Sequence, residues 1–593
     1  MITAGLRTRV AAWIADDPDP RDRAELRALV DTGGAAAAAE LADRFGGRLE
    51  FGTAGLRGVV AAGPNRMNRA VVRAATAALA GWLAAREPGA AGAGVVIGCD
   101  ARHGSSRFAD EAARVLTGAG LRVHLLPRPC PTPLLAFSVR QLSAAAGVMI
   151  TASHNPAADN GYKLYLADGA QIIPPADAEI EAAIGALGPL REVPTGSLDS
   201  PLVTRHGDEI ADAYLAALTA EAGDPTEPAA PAGPAGGAGA AEGADGAGAA
   251  GAAGATSGAP LRVVYTAMHG VAGRLMLEAI ARAGFAPPHV VAAQADPDPD
   301  FPTVAFPNPE EPGALDLALA EARRLGADLV LASDPDGDRL AVAVPDPRAS
   351  GGWRRLTGDQ LGALLGGYLL DRTAARPDPG SRLVVTTIVS ATMLSKIAAA
   401  AGARYAETLT GFKWIVRGGQ DQPGSRFLFG YEEALGYAVG DVVRDKDGIG
   451  AALAVLGLAA RERRARRTLP DAYDTLEAAH GVHLTAQLTL RTGSPGEVMT
   501  ALRAAPPAAL AGQPVTSAED LAAGGRGLPP SDVIVYRLAG ARVVVRPSGT
   551  EPKLKVYFEV VRPAGGDLTG ARRAAAARLD RLRAAVGELL VAG

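Results

Sequence analysis

Asp328-Leu329-Val330-Leu331-Ala332-Ser333-Asp334-Pro335-Asp336-Gly337-Asp338-Arg339 is the stretch from which the architecture can be read. Asp328–Ala332 is a short apolar run, the pattern of a buried strand, and a polar loop containing glycine follows it. Similar runs stand at Gly94–Cys99, Ala144–Ile150, Arg262–Tyr265 and Arg382–Thr387, with alanine-rich helical stretches between them. Strands that alternate with helices and end in polar or glycine-rich loops indicate α/β units. Ligands of open α/β sheets sit at the loops leaving the strand C-termini, so those loops are where chemistry is sought.

The loop after Ala332 carries Asp334, Asp336 and Asp338 at every second position, which in extended backbone would point three carboxylates the same way. Like charges this close call for a neutralising partner, and an oxygen-seeking divalent cation is one. An EF-hand begins similarly but needs Gly at its sixth place and Glu at its twelfth, where this chain has Arg339 and Pro345. Mg²⁺ takes a few carboxylates plus water and phosphate oxygen, which suits three aspartates and one phosphate. Read alone, the segment also serves as an acidic turn in solvent.

Three further segments share this placement. Thr151-Ala152-Ser153-His154-Asn155-Pro156 follows the run ending at Ile150, putting a serine nucleophile beside a histidine able to move protons. Asn-Pro alone would equally start a turn. Arg546–Pro552 lies between two strand-like runs, where small residues, hydroxyls and a forked cation make a phosphate cradle or an unliganded hairpin loop. Phe51–Gly58 sets Arg57 among glycines, within reach of a buried anion.

Outward from these motifs, residues 1–50 read as helical, with Trp13, Ile14, Leu26, Leu29 and Val30 among charges. At the other end His483–Arg491, Val533–Leu538, Ala541–Val545 and Lys553–Val560 read as strands, and Thr569–Val591 as an arginine-bearing helix, together a small α+β domain. The tract from about Glu221 to Pro260 is nearly all Ala, Gly and Pro and reads as a linker or inserted loop. Gly246, Gly248 and Gly251 within it formally match a dinucleotide fingerprint, but no strand precedes them. At 593 residues the chain needs several cores.

Its formal charge of −5, without a long basic run, argues against nucleic acid or a membrane surface as partner. No apolar stretch reaches the ~18 residues of a membrane span, and no signal peptide is apparent, so a cytoplasmic location is expected. Cys99 and Cys130 are too few for a disulfide framework or a multi-cysteine zinc site, and are expected as buried or half-buried thiols.

Taken together and in order, the four loops resemble those of the α-D-phosphohexomutase superfamily: a serine loop, an aspartate metal loop, a sugar-recognition loop (here Phe429–Gly436) and a C-terminal phosphate loop. The likeness runs from about residue 50 to about 560. Asn160–Lys163, Tyr265–Gly270, Phe301–Glu311, Gly411–Trp414 and Asp445–Gly448 are similar to the branch holding phosphoglucomutase-2-like, phosphomannomutase and phosphopentomutase-like enzymes.

The resemblance implies an α/β fold of three similar domains with mixed sheets, plus a smaller C-terminal α+β domain, around a central cleft. The expected division is 1–220, the tract 221–260, 261–375, 376–480 and 481–593. It implies that Ser153 carries a phosphate that joins Asp334, Asp336 and Asp338 around Mg²⁺. Arg57, Lys163 and, secondarily, His154 would attend the moving phosphoryl group and its proton. Arg339, Thr410, Gly411 and Glu432 would border the sugar, while Lys446, Arg546, Ser548, Gly549 and Thr550 would hold the phosphate that is not reacting. Glucose 1-phosphate and glucose 6-phosphate are the first-choice pair, through glucose 1,6-bisphosphate as intermediate and activator. Mannose phosphates come next and pentose phosphates third, because Ala434 stands where many glucose-handling relatives carry Ser. A metal-dependent sugar phosphatase is the rival reading. Small sugar phosphates are the expected partners, of a monomer or weak homo-oligomer.

Overall fold

The computed structural model describes residues 1–50, 55–127, 129–222, 260–376, 378–419, 422–548 and 553–592. Most of the tract 221–260, including its fingerprint-like glycines, lies outside them. Residues 1–50 hold three helices, Ala4–Asp16, Pro20–Thr32 and Gly34–Arg44, packed around Val10, Leu26, Leu41 and Phe45.

Four main sheets follow in chain order. The first has six strands, with Val95–Cys99 between Ala146–Ile150 and Val123–Leu125, and with Leu56–Val59 at one edge beside Asp159–Leu166. It is mixed: Val95–Cys99 runs parallel to Ala146–Ile150, which runs antiparallel to Asp159–Leu166. The second sheet centres on Leu329–Ser333, parallel to Val263–Thr266 and antiparallel to Leu340–Pro345. The third sets Arg382–Thr387 parallel to Arg404–Thr408 and Arg426–Glu432, and closes with the hairpin partner Gly436–Val439. The fourth is antiparallel throughout, built on Val482–Arg491, Lys553–Arg562, Ala541–Pro547, Ile534–Leu538 and Ser517–Asp520. The helix Leu568–Ala592 packs against it. The strand-like runs read from the sequence are thus strands, each within two residues of its expected end.

Glycine lets helices lie close to the sheets. The helix Gly358–Arg372 sits on the third sheet, where a Cβ at Gly362 would come 2.5 Å from the Tyr431 ring. This helix, which the expected division placed in 261–375, packs against the strand Arg426–Glu432 of the third sheet.

One apolar core runs through the first three sheets, from Val96 and Leu135 through Leu331 and Val342 to Phe429 and Leu456, while the first sheet packs a second core around Leu79, Ile97 and Phe108. The fourth sheet has its own core around Val543, Val556 and Leu582. It meets the third through a small cluster in which Ile388, Val389 and Leu409 touch Val535, Val544 and Tyr557. Arg542 reinforces this seam, 2.9 Å from Glu407 and 3.1 Å from Glu559. Cys99 and Cys130 are buried, and neither forms a disulfide. Among the described residues no helix is long and apolar enough to cross a membrane.

Candidate active site

Ser153 sits in the loop between the strands Ala146–Ile150 and Asp159–Leu166, buried and with φ of 51°, a left-handed conformation that costs an L-residue energy. The neighbourhood holds it there. Its N–H donates to Thr151 Oγ1 at 2.9 Å, and that hydroxyl donates to Asp100 Oδ2 at 2.7 Å. Asp100 also accepts from Ser105 Oγ at 2.6 Å and from the Arg102 N–H at 3.0 Å. Ser153 Oγ donates to Asp334 Oδ2 at 2.9 Å, joining loops 181 residues apart, and lies 3.3 Å from His154 Nδ1. Burial, with Arg339 and Arg57 nearby, pushes the His154 imidazole well below its ordinary range, so it is neutral and resists protonation.

The aspartate loop is a tight turn between Leu329–Ser333 and Leu340–Pro345, with Gly337 at φ 72° and its N–H bonded to the Asp334 carbonyl at 2.9 Å. This corrects the extended backbone read from the alternating aspartates: the turn, not strand periodicity, gathers them. Carboxylate oxygens from all three lie within 4.8 Å of one another, and all three residues are buried. Lys163 Nζ donates to Asp336 Oδ2 at 2.7 Å and to Asp338 Oδ2 at 2.8 Å. Thr132 Oγ1 adds a bond to Asp336 Oδ2 at 2.7 Å.

Burial and the two neighbouring carboxylates push Asp334 well up, whereas at Asp336 and Asp338 the effect of burial is overcome by Lys163 together with Thr132 at the first and Lys446 and Arg339 at the second, which hold both down. Asp336 Oδ1 and Asp338 Oδ1 are buried without a hydrogen-bond partner. Three clustered carboxylates, two with an orphaned oxygen, fit a hard divalent cation.

Around this centre the other expected residues fall into place unequally. Arg57, on the edge strand Leu56–Val59, donates to Asn155 Oδ1 at 2.9 Å. A Cβ at the preceding Gly55 would come 2.1 Å from the Tyr162 carbonyl, so that approach needs glycine. Arg339 donates its N–H to Asp334 Oδ1 at 2.9 Å, gives its guanidinium to the Ala434 carbonyl, and stands 3.8 Å from Glu432. The backbone of the Ala434 position is therefore engaged even though its side chain offers no hydroxyl. Glu433, beside Glu432, is pushed up to about 7 by burial and by that neighbour's charge.

Arg546, at the end of Ala541–Pro547, donates to Thr410 Oγ1 and faces Lys555 across the strand pair. The Ser548 N–H donates to the Lys553 carbonyl at 2.8 Å. Gly411 follows Thr410 with φ of 108°. Gly549 and Thr550 lie outside the described residues. Lys446 Nζ lies 3.2 Å from Asp338 and 3.3 Å from Asp445, beside the aspartate loop. Two buried carboxylates draw it there against the cost of burying its own charge.

Sequence reasoning missed Arg102, Thr132 and Lys555. Arg102 had a signal, since Asp100 and Arg102 directly follow the strand Val95–Cys99. Thr132 and Lys555 had none that separates them from ordinary residues.

Comparison with known proteins adds to this geometry. Family models described as phosphoglucomutase/phosphomannomutase match the chain as alpha/beta/alpha domain I over residues 48–189, domain II over 249–350, domain III over 357–478 and the C-terminal domain over 500–565. A probable phosphomannomutase of Haemophilus influenzae is 40% identical, with 83% of this chain and 93% of that protein covered. A probable phosphoribomutase of Schizosaccharomyces pombe is 35% identical, with 93% of each covered. A phosphoglucomutase of Staphylococcus haemolyticus is 32% identical, with 87% of this chain and 91% of that protein covered.

Proposed function

The chain belongs to the phosphoglucomutase/phosphomannomutase family and is an enzyme of its isomerase type, and on that footing we propose that it interconverts hexose 1-phosphates and hexose 6-phosphates, glucose first, through phosphorylated Ser153 and a 1,6-bisphosphate. The observation that carries the reading is the 2.9 Å bond from Ser153 Oγ to Asp334, with Lys163 set between Asp336 and Asp338 beside it.

In the forward half-reaction a free sugar hydroxyl attacks the phosphorus on Ser153. The new O–P bond forms as the Ser153 Oγ–P bond breaks, and the hydroxyl proton passes to a neighbouring base. Lys163 is held protonated and compensates charge on the transferring oxygens, while His154, next to Ser153 Oγ, is kept neutral by burial and the nearby cations, which also makes it a weak acceptor for that proton. Mg²⁺ bound by Asp334, Asp336 and Asp338 supplies further compensation for charge on those oxygens. Arg57 borders the same space, and Glu432 offers carboxylate oxygens to ring hydroxyls. Arg546, Ser548, Gly549 and Thr550 take the distal phosphate, with Lys555 facing Arg546. Turning the bisphosphate over returns its other phosphate to Ser153. A clamp for the second phosphate serves a mutase, which keeps both ends, better than a hydrolase.

Ala434 favours a second reading of the substrate. Without a hydroxyl there, mannose or pentose phosphates are the alternatives, in line with relatives named phosphomannomutase and phosphoribomutase. The test is a coupled assay with Mg²⁺ and a trace of glucose 1,6-bisphosphate, run on glucose, mannose and ribose phosphates together. Isomer formation that disappears in Ser153→Ala is expected. Full activity in that variant, or inorganic phosphate released faster than isomer, would sink the mutase reading.

A further inference from the structure

Arg102 makes an unusual set of bonds. Its Nη2 donates to the carbonyls of Ser153 and Asn155 at 2.7 and 2.5 Å, and its Nη1 to those of Pro156 and Asp159 at 2.7 and 3.2 Å. The serine loop thus wraps its main-chain oxygens around one guanidinium that is only 4% exposed. Asp100 Oδ2 lies 3.4 Å from Arg102 Nε, and the same carboxylate oxygen holds Thr151, which in turn holds the Ser153 N–H. Both peptide groups flanking the Ser153 side chain are therefore fixed from one Asp–Arg pair.

The other face of the guanidinium lies over the Phe301 ring at 4.9 Å, and His103 Nε2 meets Asp300 Oδ1 at 2.7 Å. Asp300 and Phe301 precede the second sheet's strand Leu329–Ser333 and its aspartate loop, so residues 102 and 103 join the serine loop to the body that carries Asp334. No hydrogen bond links Arg102 to the described residues expected to touch sugar or distal phosphate.

We propose that Arg102 is a positioning residue for phosphoryl transfer: it locks Ser153 in its left-handed conformation and sets Oγ against the aspartate loop. The proposal rests on the reading of Ser153 as phosphate carrier. A guanidinium suits the task because its planar fork reaches four carbonyls at once, which an ammonium cannot do. Misplacement by about 1 Å at a reacting centre costs on the order of 100-fold in rate, and releasing these carbonyls frees the loop by at least that much.

The experiment measures Ser153 phosphorylation by glucose 1,6-bisphosphate, using intact-protein mass spectrometry, alongside steady-state turnover, in Arg102→Ala and Arg102→Lys. Both variants should lose about 100-fold in kcat and in phosphorylation rate, with KM for the sugar monophosphate within about threefold of the parent. Added guanidinium, at a concentration that leaves circular dichroism unchanged, should restore Arg102→Ala at least about tenfold, and methylammonium should not. If Arg102→Ala does not fold, Arg102→Lys carries the test. Parent-like phosphorylation in a folded variant, a rise in KM at unchanged kcat, or equal rescue by both cations would overturn the proposal. If the parent itself takes no phosphate on Ser153, the functional reading fails instead.

Discussion

Replacing Lys163 with Met tests the balance of charge at the aspartate loop most directly. The ammonium is 4% exposed and bridges two carboxylates that are fully buried, at 2.7 and 2.8 Å. Methionine nearly conserves its volume, so what the change removes is the positive charge. Taking one partner from a buried ion pair costs about 3–5 kcal/mol, because the remaining charge is left uncompensated. The two contacts share one ammonium, so the figure is not doubled. Over a cooperative block of roughly 450 residues, with unfolding entropy near 2.1 cal/mol/K per residue, this lowers the midpoint by roughly 4 °C.

Burial lowers the Lys163 pKa, but Asp336 and Asp338 raise it further, to above its ordinary value. Its stabilising contribution is therefore fully present below about pH 10.4 and disappears only as pH climbs through the raised value. The loss in the variant should accordingly be the same at pH 7 and pH 9 in metal-free buffer. A divalent cation bound at the loop replaces the missing charge, so Mg²⁺ should raise the midpoint of Lys163→Met more than that of the parent. Scanning calorimetry with EDTA and with Mg²⁺ reads both effects. A loss under about 1 kcal/mol in EDTA, or equal stabilisation of both proteins by Mg²⁺, would refute the reasoning.

Three other outcomes are expected. Asp22 is buried with an unpaired Oδ2 and is pushed up to about 7 by burial and by Asp17 and Asp19. The folded state therefore holds a proton that the unfolded chain releases near pH 4, and stability falls as pH rises from about 4 to 7; Asp22→Asn should gain about 2–4 kcal/mol at pH 8 and almost nothing at pH 4 in urea titrations. Ionisation of Glu433 near 7 puts a second negative charge beside Glu432, so kcat/KM for an anionic sugar phosphate should fall above that pH, and Glu433→Gln should flatten the profile. Deleting residues 225–256 should leave turnover within about twofold, since none of the groups named for the site lies in that tract; a large loss in the coupled assay would assign the tract a further task.

What could be read in advance follows from the range of the forces involved. The strand Leu329–Ser333 and its counterparts are local in origin, since a short apolar run flanked by polar residues has few other ways to bury itself. Ser153 and the aspartates could be singled out because a serine loop and clustered carboxylates are chemically distinctive and both loops leave strand ends, and the fold brings Ser153 Oγ within 2.9 Å of Asp334. Arg102 offered only its place after a strand end, because its partners are main-chain carbonyls 51 to 57 residues away, and main-chain oxygens leave no mark in a sequence. The surroundings of Lys446 were hidden for a related reason: a lysine beside an aspartate is common, and only the fold shows that Asp338 approaches it as well as Asp445. The helix Gly358–Arg372 bears no sign of which sheet it will cover, because its leucines would suit either.

The separate core of the fourth sheet has a consequence for how the molecule comes apart. Its seam with the third sheet is a small apolar cluster and a set of polar contacts, among them Arg542 with Glu407, Thr485 with Asp359, Thr392 with Glu559 and Arg572 with Glu477, whereas one continuous apolar core joins the first three sheets. Heating should therefore melt the protein as two cooperative units rather than one. On the proposed function, a bisphosphate held at one end by the aspartate loop and at the other near Arg546 would contribute its full binding energy only while both units are folded. Saturating the protein with it should draw the two transitions together, so that the substrate acts as the missing part of the domain interface.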